Sequence, residues 1–209
     1  MARIFFDANG TLFDLSPVGE ALGGDERQEA FFERLLHSTA SLTFAGIWLP
    51  FDQLAESVLA TTCAKLGLDD VEQKQVLAAM KELPPYPDAS EAVELAGDAA
   101  ILTNSSADST RALTERAGLV IDTVLSCEDV GAYKPSAAPY AFALERLGEG
   151  VLVAAHAWDV VGARAAGLRA IWVRREEKEW PFSGVEQGES AETLIEAVQR
   201  AVSATLRRA

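Results

Sequence analysis

The chain has 209 residues, of which 49% are hydrophobic and 24% charged, a composition typical of one ordinary globular protein and not of a fibre or a disordered tail. Its formal net charge of −14 argues against nucleic acid and anionic membrane surfaces as partners, because both require a basic footprint. Two distant cysteines, Cys63 and Cys127, in a chain without a secretory leader favour a cytoplasmic protein without disulfides, and neither cysteine has a second ligand at zinc-like spacing.

The first element is a short β-branched and aromatic run, RIFF, at residues 3–6. It ends at an acidic loop that contains Asp7 and Gly10. This pattern predicts a buried strand followed by a turn. Polar residues at the carboxyl end of such a strand are the first candidates for a functional site.

From residue 15 to residue 84 the sequence predicts helices only. Apolar residues at helical spacing indicate helices over residues 25–45, 52–66 and 70–83. The stretch PPYP at residues 84–87 cannot continue a helix and ends this segment. We therefore expect an all-helical lobe, residues 15–84, inserted after the first strand.

After this connector the pattern changes to alternating strands and helices. The runs AAILT, DTVLS, VLVAA and RAIWV predict strands, and short connections between them and the helices predict parallel strands with right-handed crossovers. The expected fold class is α/β, a doubly wound parallel sheet with helices on both faces, formed by residues 1–14 and 85–209. Helices are expected over residues 90–95, 109–117, 136–147, 160–166 and 190–206.

Four polar stretches fall where adjacent parallel strands would end: DANGT, LTNSS, YKP and AWD. Each alone has an ordinary explanation as a turn, a helix cap or a solvated lysine. Together at one edge of a sheet they indicate a functional site. Its central candidates are Asp7, Thr103, Asn104, Lys134 and Asp159.

These stretches resemble the motifs of the haloacid dehalogenase (HAD) superfamily, and within it those of the L-2-haloacid dehalogenases. FDANGTLFD resembles the nucleophile motif, LTNSS the second motif, the lysine of YKPSAAPY the third, and AHAWDVVGARAAG the fourth. The helical lobe takes the place of the family's cap. The resemblance covers nearly the whole chain and implies a HAD-like Rossmannoid core.

Two positions bear on the reaction that this resemblance implies. Superfamily phosphatases carry a second Asp two residues after the nucleophile, which protonates an alkoxide leaving group, whereas this chain has Asn9 there. An amide cannot donate that proton, but a halide leaves without one. Ala155 stands where the phosphatases have an acid that binds magnesium. We therefore expect a reaction without a metal or another cofactor.

The resemblance implies a hydrolase that acts on carbon–halide bonds of small 2-haloalkanoic acids and releases halide and a 2-hydroxy acid. Asp7 would attack C2 of the substrate and form an ester, Lys134 would keep Asp7 ionised, and Asp159 would direct the hydrolytic water. The candidates for substrate binding are Thr11, Thr103, Asn104, Asn9, Tyr140, His156, Trp158 and Arg34.

Several of these positions have a second explanation. Tyr140 matches a dehalogenase site tyrosine but is equally explained by helix packing. His156 stands where dehalogenases commonly have Asn, and Asn9 where they commonly have Tyr. Trp158 is a pocket wall or a packing residue, and Arg34 is either the halide-binding arginine of the cap or a solvated one.

The alternatives for the whole protein are a HAD-type phosphatase with an altered acid and a non-catalytic HAD relative. The phosphatase would depend on magnesium, against which Ala155 argues. The retained Asp7, Lys134 and Asp159 argue against a lapsed site. The expected partners are a small-molecule substrate and, as one assembly, a second copy in a homodimer.

Overall fold

The computed structural model describes residues 3–206 and contains a six-stranded sheet. The order of the strands is β3-β2-β1-β4-β5-β6, and all neighbours are parallel, which confirms the predicted doubly wound α/β class. The strands are β1 (Arg3–Phe6), β2 (Ala99–Thr103), β3 (Thr123–Ser126), β4 (Gly150–Ala154), β5 (Arg169–Val173) and β6 (Glu189–Ala191).

Apart from the helix Ser16–Leu22, which the sequence did not predict, the helices lie within a few residues of their predicted positions. Within the described residues, none is long and apolar enough to cross a lipid bilayer. The helices are α1 (Ser16–Leu22), α2 (Asp25–Phe44), α3 (Phe51–Leu66), α4 (Gln73–Met80), α5 (Ala89–Ala96), α6 (Ala107–Ala117), α7 (Ala137–Leu147), α8 (Ala157–Ala165) and α9 (Leu194–Leu206).

The strands bury alternate side chains on opposite faces of the sheet, as the two-residue period of a strand requires. Ile4 and Phe6 of β1 belong to an apolar cluster that includes residues of α5 and α9. Phe5 belongs to a second cluster with Tyr140 of α7 and Val160 of α8. Helices therefore cover both faces, and the carboxyl ends of the strands remain open for a site.

The segment between residues 15 and 84 contains α1 to α4 and no strand among its described residues. Its apolar side chains, such as Phe31 and Leu35 of α2, are buried in the cluster that also holds Ile4 and Phe6. The division into a core of residues 1–14 and 85–209 and a cap of residues 15–84 stays a prediction, and residues 1, 2 and 207–209 lie outside the described residues.

The predicted start of the last helix at residue 190 is wrong. Ser190 and Ala191 pair in parallel with Trp172 and Val173 of β5, so this stretch extends the sheet as β6. The helix α9 begins only at Leu194. A strand of three residues is too short to show a two-residue hydrophobic period in the sequence. The helical pattern that follows it therefore predicts a helix that begins too early.

Candidate active site

Asp7 follows β1 directly and lies at the carboxyl edge of the sheet, where only 5% of its surface is exposed. Thr11 Oγ1 donates a hydrogen bond of 2.8 Å to Asp7 Oδ2 and accepts one of 2.9 Å from the backbone N–H of Ala155. Gly10 makes the intervening turn with a φ of +76°, a conformation that L side chains rarely adopt. The loop after β1 therefore fixes the carboxylate of Asp7.

The ammonium group of Lys134 joins the two predicted catalytic carboxylates. Lys134 Nζ donates hydrogen bonds of 2.8 Å to Asp7 Oδ1, 2.6 Å to Asp159 Oδ2 and 2.8 Å to the carbonyl oxygen of Leu102. Lys134 and Asp159 are fully buried. An ammonium has three donors, and here all three have an acceptor, so the buried charge is both paired and fully hydrogen-bonded.

Asn104 holds the backbone of Lys134 in place. Its Oδ1 accepts hydrogen bonds from the backbone N–H of Lys134 at 2.9 Å and from the Cys127 thiol at 3.0 Å. Because Asn104 directly follows β2, the sheet positions a lysine that comes from a loop. Asn104 thus acts on the loop of Lys134 and also lines the cavity described below.

Tyr140 contacts Asp159, the second of the two predicted catalytic carboxylates. Its hydroxyl group donates a hydrogen bond of 2.5 Å to Asp159 Oδ1, while Asp159 Oδ2 accepts from Lys134. Tyr140 is buried on α7 and also packs in the apolar cluster of that face. Tyr140 therefore packs in the apolar cluster and hydrogen-bonds to Asp159, and its role in the site stays a prediction.

The pKa values of the two carboxyl groups shift in opposite directions. Burial raises the pKa of Asp7, but the charges of Lys134 and His156 outweigh burial and lower it. Burial raises the pKa of Asp159, and the negative charge of Asp7 raises it further. The charge of Lys134 lowers this pKa but does not outweigh the two effects. Asp7 is therefore the carboxylate held ionised, as a nucleophile requires, and Asp159 is the one that more readily takes a proton.

A cavity of about 800 Å³ opens on Asp7. Helix α2 contributes an apolar wall that includes Phe32 and Leu36, and Phe51 of α3 adds to it. This volume lies within the usual range of small-molecule pockets. The predicted site residues that line the cavity are Asp7, Asn9, Thr103, Asn104, His156 and Trp158.

The remaining predicted residues do not line the cavity. Four of them are buried and form hydrogen bonds with Asp7 or with one another, namely Lys134, Asp159, Thr11 and Tyr140. Arg34 is half-buried on α2 and, within the described residues, is not part of the cavity wall. Its contact with a halide stays a prediction.

The charged side chains that line the cavity are mostly acidic. Besides Asp7 they are Asp25, Glu29 and Glu33 of α2 and, after β5, Glu176 and Glu177. No lysine or arginine from the described part of the chain lines the cavity, and His156 is its one side chain able to carry a positive charge.

His156 is held on several sides. Its Nε2 lies 3.1 Å from the carbonyl oxygen of Asn9, and its Nδ1 lies 3.9 Å from Glu177 Oε1. The ring stacks on Trp158 with 5.4 Å between ring centroids and 13° between planes. Burial lowers the pKa of His156, but Glu177 and Asp7 outweigh burial and raise it to about 9. The imidazole is therefore protonated at neutral pH.

Two further residues of the cavity wall were not predicted from the sequence. Ser105 Oγ accepts a hydrogen bond of 3.1 Å from Asn9 Nδ2. Glu177 Oε2 accepts one of 2.9 Å from the N–H of Ala157, the first residue of α8. Ser105 lies within the LTNSS stretch, so the sequence contains a signal for it. Glu177 lies in a long loop without a periodic pattern, so the sequence contains no such signal.

Arg175 is a further residue that the sequence did not predict. It links the loop after β1 to the residues that follow the helical segment. Its Nε donates a hydrogen bond of 3.1 Å to the carbonyl oxygen of Thr11, and its Nη2 lies 2.7 Å from Asp88 Oδ1. The guanidinium carbon lies 3.8 Å from the ring centroid of Tyr86. One buried cation thus contacts both chain segments that flank the predicted cap.

Comparisons with known proteins agree with this geometry. A profile of haloacid dehalogenase-like hydrolases matches residues 1–167. The (S)-2-haloacid dehalogenase of Pseudomonas sp. (strain YL) is 35% identical over 190 residues, which cover 82% of each chain. The enzyme of the same name from Pseudomonas putida is 30% identical over 191 residues, covering 83% of this chain and 84% of the relative. This chain belongs to the haloacid dehalogenase-like hydrolases.

A solved structure supports the same assignment at the level of the fold. The L-2-haloacid dehalogenase of Xanthobacter autotrophicus with chloropropionic acid covalently bound superposes with a TM-score of 0.85 at 24% identity. The match covers 95% of this chain and 97% of that chain. The predicted Rossmannoid core is thereby confirmed.

Some members of the haloacid dehalogenase superfamily use magnesium, and the donors in this chain do not fit that ion. Magnesium prefers several oxygen ligands in an octahedral arrangement. Here Asp7 and Asp159 share the ammonium of Lys134, Asn9 supplies a neutral amide, and Ala155 supplies no side-chain oxygen. Within the described residues, no group of three or more His, Cys, Asp and Glu side chains is arranged to hold a metal.

Proposed function

We propose that this hydrolase is a cofactor-independent 2-haloacid dehalogenase that acts through an ester on Asp7. The observation that carries the proposal is the buried Lys134 ammonium, which bonds to Asp7 and Asp159 while an amide stands two residues after the nucleophile. This arrangement supplies an ionised nucleophile and a second carboxylate, but position 9 has no acid that could protonate a basic leaving group in the first step. The two (S)-2-haloacid dehalogenases at 30% and 35% identity support the same reaction class.

The first step is a displacement at C2 of the substrate. A carboxylate oxygen of Asp7 attacks C2 in line with the carbon–halogen bond and forms the ester bond. The halogen departs with the bonding electrons as halide, and no proton is needed. The in-line geometry inverts C2, so an (S)-2-haloacid gives an ester of the (R)-2-hydroxy acid.

The second step is hydrolysis of the Asp7 ester. Water attacks the carbonyl carbon of the ester and transfers a proton to Asp159. The tetrahedral intermediate then expels the alkoxide of the 2-hydroxy acid, which takes that proton back from Asp159. The second proton of the water is left on Asp7 as a carboxylic acid and leaves to solvent, which restores the Asp7 carboxylate. Lys134 stabilises the negative charge that develops on Asp7, because its Nζ is already within 2.8 Å of that carboxyl group.

The binding roles of the other predicted residues belong to this proposal. Thr11 orients Asp7, and Tyr140 orients Asp159. Thr103, Asn104 and Asn9 would contact the substrate from the cavity floor, with Trp158 as a wall, and Arg34 would contact the halide only after a movement of α2. A cytoplasmic location fits the two unpaired, buried cysteines.

The test measures halide release from a panel of 2-haloacids, with and without EDTA, for the wild-type protein and the Asp7→Asn variant. We expect wild-type release that EDTA does not change, an (R)-2-hydroxy acid as the product from an (S)-substrate, and no release by the variant. No halide release from any 2-haloacid, together with magnesium-dependent release of phosphate from phosphate monoesters, would overturn the proposal.

A further inference from the structure

We propose that His156, placed by Glu177, is the cationic group that recognises the negative charge of the substrate beside Asp7. This makes His156 a specificity-determining residue, and the inference rests on the proposed dehalogenase function. The charge of the cavity, the geometry of the imidazole ring and the groups that surround the ring support this role.

The cavity needs a cation that its other side chains do not provide. A 2-haloacid is an anion at neutral pH, yet the charged residues around the cavity are acidic, apart from His156. Lys134 cannot take this part, because its three hydrogen bonds go to Asp7, Asp159 and Leu102 behind the cavity wall. Without a positive side chain, a carboxylate next to the ionised Asp7 would be repelled.

The geometry of the ring leaves one N–H for a ligand. His156 Nε2 is engaged by the carbonyl oxygen of Asn9 at 3.1 Å. Nδ1 faces Glu177 Oε1 at 3.9 Å, a distance longer than a direct hydrogen bond, so an anion can compete with Glu177 for Nδ1–H. The His156 side chain is 27% exposed and lies in the cavity wall with Asp7 and Asn9.

The surroundings fix both the orientation and the charge of the ring. Trp158 stacks on one face, and a side chain at Gly10 would meet Nε2 at 2.7 Å, so the ring has little freedom. The acidic groups that act on it are Glu177 and Asp7, and Glu176 lines the same cavity. Glu177 and Asp7 prevail over burial, which keeps the imidazolium form at neutral pH.

The experiment compares anion binding and turnover as functions of pH. The binding probe is propionate, which has the carboxylate of the substrate but no halogen. The signal is the change in tryptophan fluorescence on binding, to which Trp158, stacked on the ring, contributes. The variants are His156→Gln, which keeps hydrogen bonding but not the charge, His156→Lys, which keeps a charge, and Glu177→Gln. Glu179→Gln, an exposed change in the same loop, is the matched control.

For the wild type we expect propionate affinity and 1/KM for a 2-haloacid to be constant near neutral pH and to fall as the pH rises through about 9. His156→Gln should raise both the Kd of propionate and KM by about tenfold or more, with no alkaline fall, since a charged hydrogen bond is lost. His156→Lys should restore part of the affinity. Glu177→Gln should move the alkaline fall to lower pH, and Glu179→Gln should not.

Unchanged propionate affinity and KM in His156→Gln, or an alkaline fall that persists in that variant, would overturn the inference. A loss of kcat without a change in KM or propionate affinity would also overturn it, because it would indicate a structural role. Absence of halide release by the wild type would count against the proposed function alone, since propionate binding still decides the role of His156.

Discussion

Lys134 Nζ lies 2.8 Å from Asp7 Oδ1, and the lysine side chain has no exposure to solvent. The ammonium group of Lys134 stabilises its carboxylate partners only while they are ionised. Because Lys134 also bonds to Asp159, one buried charge controls both the nucleophile and the residue proposed to handle the water. The ion pairs of Lys134 therefore contribute both to the stability of the fold and to activity.

Replacement of Lys134 with Met should abolish turnover and destabilise the protein by about 3–5 kcal/mol, because two buried carboxylates lose their shared partner. Urea unfolding and halide release at neutral pH measure the two effects. Lys81→Met is the control, since Lys81 forms an exposed ion pair of 3.7 Å with Asp52 and should cost less than about 1 kcal/mol. Equal losses in the two variants would contradict this prediction.

Replacement of Asp159 with Asn should slow hydrolysis of the Asp7 ester more than its formation. The amide cannot accept a proton from water, whereas the halide leaves without proton transfer. After incubation with a 2-haloacid, intact mass spectrometry should show a covalent adduct equal to the substrate without its halogen. The exposed Asp69→Asn change is the control and should give no adduct. The prediction fails if Asp159→Asn turns over without accumulating the ester.

Replacement of Tyr140 with Phe removes the 2.5 Å hydrogen bond to Asp159 Oδ1. That bond lowers the pKa of Asp159, so its loss should raise the pKa and move the acid limb of the kcat–pH profile to higher pH. At neutral pH kcat should fall about tenfold. In Tyr133→Phe a buried phenol that donates to the Leu49 carbonyl oxygen is lost instead, and the acid limb should stay in place.

The pKa of His156 also predicts a pH-dependent contribution to stability. The folded pKa of about 9 is above the ordinary value of 6.5, so the folded state binds the proton more tightly. The stabilisation is fully present below the ordinary value and disappears as the pH rises through about 9. The free energy of unfolding of the wild type should exceed that of His156→Gln by about 1–3 kcal/mol at low pH, and less in alkaline buffer. Urea titrations across this range would contradict the prediction if the difference were constant.

Parallel-sheet topology explains why much of the site could be predicted from the sequence. Asp7, Thr103 and Asn104 end or follow β1 and β2, and Asp159 follows β4 in the first turn of α8, so one edge of the sheet collects them. Lys134 was identified by its resemblance to a family motif and not by periodicity, because it lies in a loop. The structure brings its Nζ to both carboxylates.

The missing parts depend on long-range contacts that have no local pattern. Glu177 and Arg175 lie in the irregular stretch between β5 and β6, and their partners are 20 and 87 residues away in the chain. The sequence predicts β6 as part of the last helix for a similar reason. What defines this three-residue strand is its pairing with β5, which is a long-range contact. The two explanations for Arg34 differ in the angle between α2 and the core, which no sequence window contains.

The contacts of Arg175 have a consequence for protein engineering. Its guanidinium group contacts Thr11 in the loop of the nucleophile and Tyr86 and Asp88 in the connector that returns from the helical segment. A chimera that exchanges the helical segment for that of a relative would therefore keep an aligned nucleophile only if its second junction leaves Tyr86 and Asp88 in the recipient chain. Graft libraries should therefore hold the second junction fixed.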